Sequence, residues 1–281
     1  MDYNENVLVF GCSFSAGSYT YDPTYIMYSD VLQPDGTIEK VDNGLGRETL
    51  DVNGSWIESL DPNNYYTLYT VSGGGIVQHA TVLEHYYNKN RLKDFDYVLI
   101  QLTYEPRLTW NQKGHLGDRF WRELDLEADN IDMYQGKGTA RYFNFISPNG
   151  KGDFGGNFNN ETEWRRKIFN GRTNNLVVQS CATLIDERCR ETQTPLYYFR
   201  WMEEIEEVTP QFEYGIRLDI PYPWGVGKGT MNMFLNKKYH IFAPIDPKIS
   251  RDGSDTFIGH FNKAGNKKVG TAVRKALEKL R

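Results

Sequence analysis

One serine follows the first predicted strand, at a position where a sheet can present it to a ligand. Ser13 comes directly after the apolar run Val7–Phe10, within the segment Gly11-Cys12-Ser13-Phe14-Ser15-Ala16-Gly17. Such an apolar run predicts a strand buried on both faces, and ligands bind beyond the carboxyl ends of parallel strands. The flanking glycines let the backbone turn sharply and expose the hydroxyl there. The alternative interpretation is a strand-to-helix turn in which the serine only caps the helix.

Other candidate groups have weaker patterns. Cys12 invites a thiolate-nucleophile hypothesis, but a cysteine at the end of a buried strand is more often an inert small hydrophobe. The segment Gly225–Thr230 is not a phosphate-binding loop, because Tyr222 stands where that motif has its first glycine and Gly229 stands where it has Ser or Thr after the lysine. Likewise, Gly73–Gly75 is followed by Gln78 where a dinucleotide-binding motif needs its last glycine. No two histidines are spaced for a zinc site. We therefore expect no metal and no cofactor.

The elements that would position Ser13 alternate between strands and helices. After Val7–Phe10 the sequence predicts further strands and helices with apolar faces. The predicted strands are Tyr66–Val71, Tyr97–Leu102 and Leu196–Phe199, and the predicted helices are Ile76–Leu92, Leu176–Arg190 and a last helix from about Lys263 to the end. This alternation predicts an α/β domain with three layers, flavodoxin-like, whose five-stranded sheet is mostly parallel.

Two stretches do not follow this alternation. Residues 21–65 and 105–173 are long, aromatic and rich in Gly, Asn and Asp, with few clean periods. Since long structureless loops are uncommon inside compact domains, we interpret them as insertions at one rim of the sheet. The chain is thus predicted to be a single domain over residues 1–281.

Composition excludes several classes of protein. The 281 residues carry 32 basic and 37 acidic side chains, a formal net charge of −5, which gives no global attraction to nucleic acid or to an anionic membrane. Aromatic residues make up 14% of the chain, too many for a disordered protein. The sequence has no apolar run long enough to span a membrane and no signal-peptide pattern at its start, and its three cysteines fit a reducing compartment. We expect a cytoplasmic or virion-associated protein without nucleic-acid or membrane partners.

The motif around Ser13 resembles the first block of the SGNH (GDSL-like) hydrolases. In that family a strand leads into Gly-Asp-Ser, and the serine is the nucleophile; Cys12 replaces the aspartate, as in bacterial and phage-encoded members. Three further segments follow in the family's order. Together the four are spread over almost the whole chain, although the matching residues are a small fraction of it. The three further segments are Ser72-Gly73-Gly74-Gly75, then Gln101-Leu102-Thr103-Tyr104 where the family has Gly-x-Asn-Asp, and Gly259-His260-Phe261-Asn262-Lys263-Ala264-Gly265-Asn266 at the last helix.

The resemblance implies roles for these positions. Ser13 would attack, and His260 would be the general base that takes its proton. The oxyanion hole would consist of the backbone N–H groups of Ser13 and of Gly73 or Gly74, with Thr103 in place of the family asparagine. Phe257 occupies the usual position of the acid, three residues before His260. The orienting group would therefore be Asp255, Asp252 or a backbone carbonyl.

Three other residues are candidate substrate contacts. Gln101 would supply an amide donor if the third-block turn is shifted, and Arg107 would hold an anionic group or else pair with a surface carboxylate. His79 would line the pocket or else be a satisfied helix histidine. Aromatic residues, among them Tyr197–Trp201, would form a sugar-binding rim or else pack in the core.

The function implied is hydrolysis of a small-molecule or glycan carboxylic ester, including carbohydrate O-acetyl groups, through an acyl-serine intermediate. Acyl transfer would use the same residues. The alternative is a catalytically impaired SGNH-like module that binds glycans or is associated with a virion.

Overall fold

The computed structural model describes residues 4–22, 28–32, 38–42, 47–51, 54–70, 75–102, 108–110, 144–146, 171–203, 210–244 and 255–281. Its strands are β1 (Asn6–Gly11), β2 (Ser18–Asp22), β3 (Tyr28–Leu32), β4 (Ile38–Asp42), β5 (Arg47–Asp51), β6 (Tyr65–Thr70), β7 (Tyr97–Leu102), β8 (Leu108–Trp110), β9 (Asn144–Ile146), β10 (Leu196–Arg200), β11 (Ile216–Arg217), β12 (His240–Pro244) and β13 (Asp255–Phe261). Its α-helices are α1 (Ser13–Ala16), α2 (Ile76–Asn88), α3 (Gly171–Glu191) and α4 (Lys263–Glu278), and two 3₁₀ helices cover Trp56–Ser59 and Leu92–Asp94.

A five-stranded parallel sheet forms the centre of the fold. Its strands lie in the order β6-β1-β7-β10-β11, and each neighbouring pair is parallel. Numbered along the chain, this is the order 2-1-3-4-5 of flavodoxin-like folds. The predicted fold class is therefore confirmed: the protein is an α/β protein with helices on both faces of a parallel sheet.

Both faces of the sheet are buried, which explains why its strands read as continuous apolar runs. Successive residues of a strand point to opposite faces. Leu8 and Phe10 of β1 pack in the cluster that includes residues of α2 and α3. Val7 and Val9 pack in the cluster that includes Trp56 and residues of α4. The sheet is thus shared by two cores, one on each side.

The last helix starts and packs through specific residues. The Asn262 side chain accepts hydrogen bonds from the backbone N–H groups of Ala264 and Gly265, which caps the helix. Further along, Gly270 lies so close to the Trp56 carbonyl oxygen that a Cβ atom would overlap it. α4 can therefore approach the 3₁₀ helix Trp56–Ser59 closely.

The predicted elements agree with the structure in type and differ at their ends. Among the described residues, four short strand pairs lie outside the central sheet: β2 with β5, β3 with β4, β8 with β9, and β12 with β13, all antiparallel. Only part of the predicted insertions is described. The first one ends in residues of the core, because Trp56, Ile57 and Leu60 are buried. Among the described helices, none combines the length and the apolar character that a membrane span requires.

Candidate functional site

The candidate site lies at the carboxyl end of β1, next to the end of β7. The chain runs from β1 to β6 on one side and then, through α2, to β7 on the other side of β1. Such a reversal of strand order leaves a crevice beyond the strand ends, which is where ligands bind in flavodoxin-like folds. Ser13, the first residue of α1, follows β1 at this point.

A buried glutamine from β7 fixes the turn that carries Ser13. The Gln101 Oε1 atom accepts hydrogen bonds from the Cys12 backbone N–H at 3.1 Å and from the Ser15 hydroxyl at 2.8 Å. The Cys12 thiol lies 3.4 Å from the same oxygen. Gln101 is fully buried. One carbonyl oxygen thus holds the residue before Ser13 and the residue two positions after it.

Three more side chains hold the turn from the α4 side of the sheet. The Trp56 indole N–H donates to the Ser15 hydroxyl at 2.8 Å, and the Ser55 hydroxyl donates to the Ser15 carbonyl oxygen at 2.8 Å. The Asn266 amide, in the first turns of α4, donates to the Gly17 carbonyl oxygen at 3.0 Å. The turn is therefore attached to β7, to the 3₁₀ helix and to α4.

His260 lies against this turn. It is the next-to-last residue of β13, and its ring centroid is 4.9 Å from that of Phe14, the residue after Ser13. The Phe14 ring also stacks on Trp201 at 4.8 Å and contacts the edge of Trp224 at 5.2 Å. These aromatic contacts bring β13 and the end of β10 to the segment that contains Ser13.

A second histidine, His240, packs against Phe261, the residue that follows His260. His240 of β12 is buried, with its ring centroid 4.2 Å from that of Phe261. Burial, and secondarily the charge of His260, lowers the pKa of His240 to about 4, while a hydrogen bond with the His260 backbone opposes this shift. His240 is therefore neutral at neutral pH, and it supports β13 as an uncharged ring.

Several candidates predicted from the sequence lie outside the described residues. These are Gly73, Gly74, Thr103, Arg107 and Asp252, together with the side chains of Ser13 and Asp255. The backbone of Asp255 begins β13, where it pairs with Pro244. Five residues of extended strand span roughly 16 Å, so β13 places Asp255 and His260 at opposite ends of the strand. This placement does not favour a direct contact between them.

Two candidate substrate contacts are buried. The Gln101 amide has no exposed surface, and its oxygen is occupied by the turn. This burial does not favour Gln101 as a substrate contact, which stays a prediction. His79 is 2% exposed, with its Nε2 atom 3.4 Å from the Gly11 carbonyl oxygen and its ring against Phe10. Both side chains support the end of β1.

Some residues that matter at this site were not singled out from the sequence. Ser15 and Trp56 are far apart in the chain, so nothing local indicates their hydrogen bond. His240 also carried no motif. A usable signal existed for Ser15 alone, because it lies within the glycine-flanked segment.

A cavity of about 210 Å³ lies at the other end of the sheet. Its lining includes Tyr97, the first residue of β7, and two arginines, Arg274 and Arg281. These arginines already pair with Glu278 and Glu5 respectively. The pairing compensates both arginine charges, and the Asp61 carboxylate in the same lining accepts hydrogen bonds from the backbone N–H and the side-chain amide of Asn63.

Known proteins provide no further guide to the site. Within the described part of the chain, no three His, Cys, Asp or Glu side chains are grouped so that they could hold a metal ion. Comparison of the chain with protein-family models, with curated proteins and with solved structures finds no match.

Proposed function

We propose that the protein is a serine ester hydrolase that cleaves carboxylic esters through an acyl-Ser13 intermediate. The observation that carries this proposal is the packing of the His260 ring 4.9 Å from the Phe14 ring, one residue beyond Ser13. A nucleophilic serine needs a neutral imidazole nearby to take its proton. Residues from opposite ends of the chain meet at the crevice where this chemistry would take place.

The mechanism uses His260 as a base and then as an acid. The Ser13 hydroxyl attacks the ester carbonyl carbon while His260 takes its proton. The tetrahedral intermediate carries a negative charge on the former carbonyl oxygen, which backbone N–H groups of Ser13 and of Gly73 or Gly74 would stabilise. The ester C–O bond breaks, and the alcohol leaves with the proton from His260. Water then attacks the acyl-enzyme with His260 as base, and releases the acid and Ser13.

The rigid attachment of the turn supports this mechanism. The backbone on both sides of Ser13 is held, because Gln101 accepts from the Cys12 N–H, and Ser55 and Asn266 donate to the Ser15 and Gly17 carbonyl oxygens. A nucleophile held in place loses little entropy on reaching its reacting geometry. The resemblance to SGNH hydrolases in the order of four motifs supports the same assignment, with carbohydrate O-acetyl groups as one substrate class.

Replacement of Ser13 by alanine tests the proposal. We expect Ser13→Ala to lower the turnover of 4-nitrophenyl acetate by at least about a hundredfold, because the nucleophile is lost. The control is Ser180→Ala, at an exposed position on α3. Mass spectrometry after treatment with a fluorophosphonate probe should locate the adduct on Ser13. Full turnover by Ser13→Ala would contradict the mechanism.

A second candidate is a non-catalytic glycan-binding module with the same fold. Phe257 stands where the family's acid would be, and this absence favours the second candidate. The half-buried aromatic rings of Phe14 and Trp224 would then stack on sugar rings. Glycan binding by a protein whose Ser13 does not react with the fluorophosphonate would favour this candidate over the hydrolase.

A further inference from the structure

Arg200 lies at the same edge of the sheet as Ser13. It is the last residue of β10 and pairs with Leu102 of β7. The register of β1 with β7 aligns Phe10 with Ile100, so Leu102 is level with the position of Cys12. Two strand spacings therefore separate Arg200 from the start of the Ser13 turn, roughly 10 Å.

Aromatic packing ties the two segments together. The Phe14 and Trp201 rings, each one residue beyond Ser13 and Arg200 respectively, stack with their centroids 4.8 Å apart. The Trp201 backbone N–H also donates to the Leu102 carbonyl oxygen at 2.8 Å. The end of β10 and the Ser13 turn thus lie next to each other at this edge of the sheet. Alternation along β10 puts Arg200 on the face of Leu196 and Tyr198, whereas Trp201 lies on the α4 face.

Arg200 carries a charge that the described part of the chain does not balance. Its Nε atom is buried and has no hydrogen-bond partner there, and no described carboxylate forms an ion pair with it. Two other described arginines are paired: Arg188 with Glu84 and Glu191, and Arg281 with Glu5. Partial burial of an unpaired guanidinium is unfavourable. An anionic ligand at this position would offset that cost.

We infer that Arg200 binds an oxyanion group, such as a carboxylate, on the substrate. This inference rests on the proposed ester hydrolysis at Ser13 and narrows its substrates to anionic esters. The guanidinium suits this role because its planar donors match a carboxylate with two parallel hydrogen bonds. The roughly 10 Å between the backbone of Arg200 and the start of the Ser13 turn is comparable to the length of a small ester with its acid group at the end away from the reacting carbonyl.

The first test compares the cleavage of the acetyl ester in an anionic compound and in a neutral one of nearly the same shape. The substrates are 4-acetoxybenzoate and its methyl ester, and the variants are Arg200→Gln, Arg200→Lys and the control Arg217→Gln. Arg217 is exposed on β11, where it donates to the Tyr222 hydroxyl. We expect Arg200→Gln to lower kcat/KM for the anionic ester ten- to a hundredfold through KM, and to leave the methyl ester unchanged. Arg200→Lys should fall between Arg200→Gln and wild type.

The second test measures binding without chemistry. Calorimetric titration with benzoate should give a dissociation constant at least about tenfold higher for Arg200→Gln than for wild type and for Arg217→Gln. Equal benzoate affinity of wild type and Arg200→Gln, or no binding to wild type, would overturn the inference. If wild type hydrolyses neither ester but benzoate binding depends on Arg200, the hydrolase proposal fails and the anion site stands. Arg200→Gln should unfold at the same temperature as wild type or at a higher one, because an unpaired guanidinium is removed. A clear loss of stability would instead indicate a structural role and overturn the inference.

Discussion

At the scale of single residues, Gln101 explains most of the local order at the candidate site. Its Oε1 atom accepts from the Cys12 backbone N–H and from the Ser15 hydroxyl, while its Nε2 atom is buried with no partner in the described part of the chain. An unsatisfied buried donor is costly, so the favourable interactions of the oxygen must outweigh it. A β-branched or apolar residue at this strand position would lack that oxygen.

Replacement of Gln101 by methionine should therefore destabilise the protein. Methionine keeps a similar shape but leaves the Cys12 N–H and the Ser15 hydroxyl without their acceptor, at a cost of about 2–4 kcal/mol. Urea unfolding would measure the change. The matched control is Gln179→Met on α3, whose amide oxygen accepts from the Gln211 N–H at an exposed position and should cost less than about 1 kcal/mol. Equal effects of the two substitutions would contradict the role given to Gln101.

At the scale of elements, the β12–β13 pair places a buried histidine, His240, against the residue that follows the candidate base His260. His240 pairs with Phe261 across the two strands, and the register shifts between His240 and Phe242. This irregularity lies in the part of the pair that carries His260. The neutral ring of His240 fills the space under β13, so protonation of that ring should weaken the pair.

We expect His240 to lower the free energy of unfolding as the pH falls from about 6.5 to about 4. Its folded-state pKa of about 4 lies below the ordinary value of 6.5, so the unfolded chain binds this proton first as pH falls. The neutral ring makes its full contribution to the free energy of unfolding above about pH 6.5. This contribution is lost as the pH falls toward 4, by up to about 3 kcal/mol. Urea unfolding of wild type and His240→Phe at pH 7, 5 and 4 measures it. The difference between the two proteins should shift over this range and be constant from pH 7 to 8. A difference that does not change below pH 7 would rule out the shift.

Sequence patterns predicted the elements that obey local rules. The runs Val7–Phe10 and Tyr97–Leu102 became strands because both faces of the sheet are buried, and the last helix begins where Asn262 can cap it. Contacts between distant segments were not predictable in this way. The bond between Trp56 and Ser15 and the pairing of β12 with β13 depend on how the whole chain folds. For the same reason Arg200 was indistinguishable from a surface arginine until its strand was placed.

At the scale of the whole molecule, the central sheet couples the two cores. Each inner strand contributes alternate side chains to both, as Leu8 and Val9 of β1 show. Neither helical layer can bury its apolar face without the sheet. Loss of packing on one face should consequently lower the stability of the other, including α4 and the Asn266 contact to the Ser13 turn.

Leu8→Ala tests this coupling. Leu8 is fully buried on the α2 and α3 face, and its truncation should cost about 3 kcal/mol. Hydrogen exchange measured by mass spectrometry should show the slowest amides of α2 and of α4 losing protection by this same free energy, because both open only in global unfolding. The control, Leu176→Ala, is 70% exposed and should leave both helices unchanged. Loss of protection in α2 with none in α4 would show instead that the α4 face, with its attachment of the Ser13 turn, is an independently stable unit.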